Sequence, residues 1–225
     1  MTCPEDALPA TPLTENELLL EKSEVIKIHG PDKKGRPILR IVGKYFPANI
    51  LKGESAEAAL KGYLQKRIFP ELEKKPFVIV YIHTRVSRCD NFPGLSVLHS
   101  VLESVPDTVH EAIRKLFFIH PGLQSRIFFF TFGCIFFGPG LYAKLKYIAR
   151  MEYLRPYIAL EQLEIPDFVK EHDGTLEIHP LCDYGIVKPV CVEMEMDSRR
   201  WNLLDDFYDD LLLRGAKQPK LSEAF

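Results

Sequence analysis

Two short runs constrain this chain more than anything else in it. PFVIVYIH (76–83) and LFFIH (116–120) are almost continuously apolar and rich in β-branched and aromatic residues, the pattern of strands covered on both faces. Strands of that kind sit in parallel sheets, and parallel strands need long crossovers. The flanking sequence supplies them. From Glu54 to about Lys74, Ala56, Leu60, Tyr63, Leu64, Ile68 and Leu72 recur at three- and four-residue steps, which predicts a helix. Residues 95–102 and 108–116 read as further helices, and Pro121-Gly122 stops the second strand.

At the N-terminal side, SEVIKIHG and RPILRIVGKYF flank the polar PDKKGR, whose Pro31, Asp32 and Gly35 supply turn chemistry for a β-hairpin. Further on, a helix over about 123–137 is broken at Gly138-Pro139-Gly140. KLKYIAR (144–150) is another candidate strand, and EIPDFVKEHD (164–173) a last turn of helix packing on the sheet. This alternation predicts one α/β domain with a mostly parallel sheet, spanning residues 23–175. Residues 1–22, with prolines at 4, 9 and 12, read as a flexible leader. Residues 176–225 read as a C-terminal extension in which Trp201, Leu204, Tyr208, Leu211 and Leu212 mark an amphipathic helix.

Composition removes several function classes. Lys+Arg is 29 against 31 Asp+Glu, a net charge of −2, so the basic surplus that nucleic-acid binding demands is missing. The longest apolar stretch, 127–137, is about half the roughly 20 residues of a spanning helix. MTCPEDALPATPLTENE has no basic n-region or apolar h-region. The cysteines, Cys3, Cys89, Cys134, Cys182 and Cys191, are odd in number with no C-x-x-C pair, which suits free thiols. A soluble, cytoplasmic protein is the expectation.

Catalytic fingerprints are absent: no G-x-G-x-x-G, no G-x-x-x-x-G-K-[ST], no G-x-S-x-G and no H-E-x-x-H occurs. His83 and His120 each end a buried strand, where ligands sit in open α/β sheets, so the two imidazoles are candidates for one crevice. The bland alternative is that each caps its strand by hydrogen bonding. Arg85, Arg88 and Asp90 follow His83 as loop charges. His172, His179, Cys182 and Cys191 are potential zinc ligands within twenty positions, but their spacing matches no familiar site, and neither metal nor cofactor is expected.

The most unusual segment is RIFFFTFGCIFFGPGLYAKLKY (126–147), with phenylalanines at 128, 129, 130, 132, 136 and 137. Phe129, Phe132 and Phe136 share a helical stripe while Phe128, Phe130 and Ile135 face elsewhere, so the helix is apolar all round and is expected to meet water on no side. Either it is buried between layers, or one face packs on the sheet and the other lines an apolar cavity or meets a membrane surface. Tyr81, His83, His120 and Lys144 are candidate polar groups of such a cavity, and Gly138-Pro139-Gly140 a candidate hinge.

Taken in order, GRPILRIVGKYFP, KKPFVIVYIHT, KLFFIHPGLQSRIFFF, KLKYIARMEYL and LEIPDFVKEHD resemble the divergent CRAL-TRIO domain. The resemblance covers about residues 24–173 and is closest to the BCH branch found in Rho GTPase-activating proteins and ganglioside-induced differentiation-associated proteins. It implies a three-layer α/β/α fold with a hydrophobic pocket under a mobile gate helix, which maps onto the phenylalanine-rich stretch. The strand end 81–84 and the turn 119–121 match positions that edge that pocket in the family.

The expected function is therefore non-enzymatic binding of a lipid or other apolar ligand, coupled to signalling or membrane traffic. Tyr81, His83, Phe118, His120, Phe129, Phe132, Phe136 and Lys144 are expected around the pocket, with Tyr81 and Phe118 chosen because strand alternation puts them on the faces of the two histidines. One alternative is a BCH-type scaffold that binds a small GTPase or self-associates; another is a hydrolase using the strand-end histidines. Any membrane contact is expected to be peripheral, with Lys61, Lys66, Arg67, Lys74 and Lys75 as a candidate basic strip against an ordinary solvated face.

Overall fold

The computed structural model describes residues 12–72 and 75–178. Five strands, β1 (Ile26–Pro31), β2 (Pro37–Val42), β3 (Phe77–Ile82), β4 (Ile113–Ile119) and β5 (Leu145–Ile148), form one sheet in sequence order. The hairpin β1–β2 is antiparallel; β2–β3, β3–β4 and β4–β5 are parallel. The mostly parallel α/β sheet expected from the sequence is present.

Because each parallel strand is added on the same side of the last, right-handed crossovers place every connection on one face of the sheet. That face carries α2 (Gly53–Tyr63), α4 (Leu95–Glu103), α5 (Asp107–Ala112) and α6 (Leu123–Tyr142). Ala56, Leu60, Val97, Val109 and Leu141 share a core there with Leu39, Phe77 and Ile113. The helix expected up to about Lys74 continues from α2 through a π-helical turn, Leu64–Ile68, into the short α3 (Phe69–Leu72). The opposite face is covered by the chain after β5. Met151, Leu154, Ile158, Leu163 and Val169 of α7 (Asp167–Ile178) pack on Ile38, Val42, Val78, Val80, Ile82, Phe117, Ile119 and Ile148. These are the three layers that the family resemblance implied.

Three expectations need correction. His83 and His120 do not share one strand-end crevice: His83 meets Ser125 of α6 and His120 meets Asp173 of α7, on opposite faces. Within the segment expected as a flexible leader, Glu15–Lys22 forms a helix, α1. Thr14 and Glu17 make a reciprocal capping box, and Leu20 is wholly buried in the first core. Third, α6 does border water: Phe130 is 85% exposed, and Leu123, Ile127 and Ile135 are exposed beside it. α7 extends beyond its expected end to Ile178, and the expected amphipathic C-terminal helix lies outside the described residues.

Candidate functional site

Parallel register sets an aromatic row across the sheet. Tyr81 of β3 pairs with Phe118 of β4, which pairs with Tyr147 of β5. Their rings lie 4.9 Å (Tyr81–Phe118) and 6.2 Å (Phe118–Tyr147) apart. His83, two residues beyond Tyr81 and so on the same face, adds its ring 5.1 Å from Phe118. Above this row lies α6, whose Phe129 stands 5.3 Å from Phe118 and 6.1 Å from Phe136. Phe132 joins through Phe128 at 5.7 Å. These phenylalanines belong to neither of the two cores described above.

The polar groups around His83 are uncharged, while the Arg126 guanidinium acts on Tyr147. Ser125, in the first turn of α6, meets His83 Nε2 through Oγ at 2.9 Å, and the Tyr81 hydroxyl lies 3.4 Å from Nδ1. Either imidazole tautomer keeps both contacts, because each hydroxyl can donate or accept. Burial pushes the His83 pKa down to about 4, so the ring is neutral near pH 7, and it raises the Tyr81 phenol as well. Tyr81 and His83 nevertheless keep some accessible surface of their own. The Tyr147 hydroxyl is buried with no hydrogen-bond partner, and desolvation first of all lifts its pKa to about 12.

The helix that roofs this enclosure has its break built in. Gly138 adopts φ 72°, ψ 156°, which only glycine enters freely, and Pro139 follows it. By length and composition Leu123–Tyr142 is the one described helix able to cross a bilayer, although it is kinked here and packs on the sheet.

Six of the eight predicted residues thus converge: Tyr81, His83, Phe118, Phe129, Phe132 and Phe136. His120 and Lys144 do not. His120 takes φ +49°, which swings its side chain off the face of Phe118 and toward α7. There Nε2 donates to Asp173 Oδ1 at 3.0 Å, and in the neutral ring Nδ1 accepts from the Thr84 hydroxyl at 2.7 Å. Hydroxyl, imidazole and carboxylate stand in the order of a catalytic triad. Thr84 is 1% and His120 3% exposed, so a substrate has no approach to this hydroxyl, and the group acts as a bolt holding α7 to the strand ends.

Lys144 lies at the far end of α6, donating to the His110 carbonyl at 3.2 Å. It lines a cavity of about 260 Å³ with His110, Phe137 and Leu141, beside the kink. The expected basic strip is largely neutralised: Lys61 pairs with Glu57, Lys66 with Glu17 and Arg67 with Glu21, while Lys74 is outside the described residues. Of the potential zinc ligands only His172 is described, and no metal-holding group of three or more His, Cys, Asp or Glu occurs among the described residues.

Ser125 and Tyr147 were missed. Tyr147 was within reach of strand alternation, since it takes the register of Phe118. Ser125 precedes Phe129 by one helical turn and carries no other signal.

The model of the divergent CRAL/TRIO domain matches residues 35–175. The chain is similar to a Protein GDAP2 homolog of Drosophila melanogaster, 32% identical over 144 residues, which are 64% of this chain and 25% of that protein. It is also similar to one of Nematostella vectensis, 26% identical over 162 residues (71% and 30%). A third relative, ganglioside-induced differentiation-associated protein 2 of Xenopus tropicalis, is 28% identical over 147 residues (64% and 28%). The matched region thus spans only about a quarter to three-tenths of these relatives. CRAL/TRIO domains as a family bind lipids or other small lipophilic ligands. The chain belongs to the divergent CRAL/TRIO family, as its sheet, its roofing helix and the match over most of the described domain together require.

Proposed function

We propose that this domain shelters a lipid or other apolar molecule with an uncharged hydrogen-bonding head between the sheet and α6. The observation that carries the reading is the Tyr147 hydroxyl, buried without a partner on the same aromatic face as the Tyr81–His83–Ser125 chain. A buried hydroxyl costs free energy until something bonds it, and a ligand carbonyl or hydroxyl would do so. Each methylene buried among the phenylalanines adds about 0.8 kcal/mol. Ring contacts close the enclosure, so entry proceeds by displacement of α6 about Gly138. The exposed stripe Leu123, Ile127, Phe130 and Ile135 meets the lipid surface from which the ligand is drawn.

Native mass spectrometry of the purified chain tests this. A co-purifying organic adduct, released by solvent extraction and weakened by Tyr147→Phe, is the expected result. A bare monomer that also takes up no fluorescent lipid from vesicles overturns it. A bare dimer or a GTPase complex would instead make the exposed stripe a protein-docking surface.

A further inference from the structure

On the other side of the sheet, at its β1–β2 edge, the register sets Lys27 directly opposite Arg40, with His29 two residues along on the same face. Like charges opposed in this way repel, so the arrangement needs an anion. The chain supplies one. Glu164 Oε2 lies 2.9 Å from Lys27 Nζ, 3.9 Å from Arg40 Nη1 and 4.0 Å from His29 Nδ1, three basic groups aimed at one oxygen. Yet the Glu164 side chain is 59% exposed, and its residue holds φ +47°, a left-handed conformation that side chains rarely adopt.

Arg40, 2% exposed, is only half used. Its Nη1 donates to the Leu163 and Glu164 carbonyls at 3.4 and 2.6 Å, while Nε and Nη2 are buried without a partner. Those two nitrogens form the side-on edge that grips an oxyanion; Arg36 uses the same edge, Nε and Nη2, on Asp32. His29 Nε2 is likewise buried and unpartnered.

We infer that Lys27, His29 and Arg40 form a phosphate-monoester site, occupied at rest by the chain's own Glu164. With Glu164 swung out, two fixed positive charges remain, matching the roughly −1.5 to −2 charge of a phosphate monoester rather than the single charge of a carboxylate. Rotation of the exposed Glu164 side chain alone vacates the oxygen position beside Lys27 Nζ and Arg40 Nη1, and the incoming phosphate takes it while Leu163 stays in the core. The site lies on the face opposite α6 and is independent of lipid binding beneath it.

The test uses the full chain, with inorganic phosphate and vesicles containing phosphatidic acid as probes, at constant ionic strength against chloride and phosphatidylcholine. Wild type is expected to bind at least one probe; Glu164→Gln, which removes the competing charge and keeps the shape, should bind it about tenfold more tightly. Lys27→Met, at a partly exposed position outside both cores, should abolish binding in both backgrounds. Binding of free phosphate identifies a soluble ligand, and binding of vesicles alone identifies a lipid headgroup. The inference is overturned if neither probe binds wild type, if phosphate binds only Glu164→Gln, which makes Glu164 a permanent structural partner, or if Lys27→Met leaves binding unchanged.

Discussion

The two sides of the sheet are packed by different rules. Beneath α7, aliphatic side chains such as Ile38, Val78, Val80, Ile82, Leu154, Ile158 and Leu163 interlock at essentially zero exposure around Phe117. Beneath α6 the contacts are ring to ring at 5–6 Å, mixed with hydroxyls and an imidazole, under a helix broken at its far end. Branched aliphatics fill a shape that few other arrangements fill, so that side fixes the fold. Flat rings held edge to face leave contacts that a hydrocarbon can replace. Ligand capacity is thus assigned to the stretch of one face that α6 roofs, while the α7 face and the core under α2, α4 and α5 hold the fold.

Truncating one ring on each side tests this division most severely. Phe117→Ala should cost about 3–5 kcal/mol in urea unfolding, because the ring is fully buried among side chains that cannot follow it. Phe129→Ala should cost less than Phe117→Ala, because the cost falls where neighbouring side chains can close the space, while lipid uptake falls sharply. Equal losses on the two sides would erase the distinction.

Acidification gives the next largest effect. His83 has a folded pKa of about 4 against 6.5 unfolded, so the unfolded chain binds the extra proton first. Its stabilising contribution is whole above pH 6.5 and is lost as pH falls toward 4, at most about 3 kcal/mol given its partial exposure. His29, also held low by burial and then by Arg40, acts in the same direction on the other face. Glu17 and Asp32 carry lowered carboxyl pKa values, so their contributions fade only at lower pH. His83→Gln should flatten the pH 6.5–4 limb of a stability profile while retaining the Ser125 contact; an unchanged limb would mean that the α6 side is as open to water as a surface.

A smaller change probes the kink itself. A Cβ on Gly133 would collide with the Tyr142 ring, which folds back on α6 past the break. Gly133→Ala should therefore cost about 1–3 kcal/mol by overpacking and raise protease cleavage near 138–142. Unaltered stability and cleavage would show that the two halves of α6 separate freely.

Much of this was legible from residue order. The two buried strands, the hairpin turn at Asp32 and Gly35, and the break at Gly138 follow from period and backbone chemistry, which are local. The row Tyr81–Phe118 followed from alternation. What failed was non-local or lay in a single dihedral. The positive φ of His120 reverses its face, and no pattern of neighbouring residues encodes that choice. α1 carried a readable signal in Thr14-x-x-Glu17, but its burial depends on Glu17 meeting Lys66, a contact 49 residues away. The exposed side of α6 was misjudged because hydropathy alone does not distinguish a helix covered by protein from one that presents an apolar face.

That exposed face supplies the smallest thermodynamic effect and the sharpest functional contrast. Phe130 is 85% exposed and packs on little, so Phe130→Ser should change unfolding free energy by no more than about 0.5 kcal/mol. If the stripe with Leu123, Ile127 and Ile135 is where α6 meets a lipid surface, the same substitution should slow ligand exchange with vesicles several-fold while leaving the amount of ligand held at equilibrium unchanged. Rate and capacity separate here because Phe130 lies outside the enclosure and Phe129, its neighbour in sequence, lies inside it. A fall in capacity with an unchanged rate would reverse the roles of the two faces of α6.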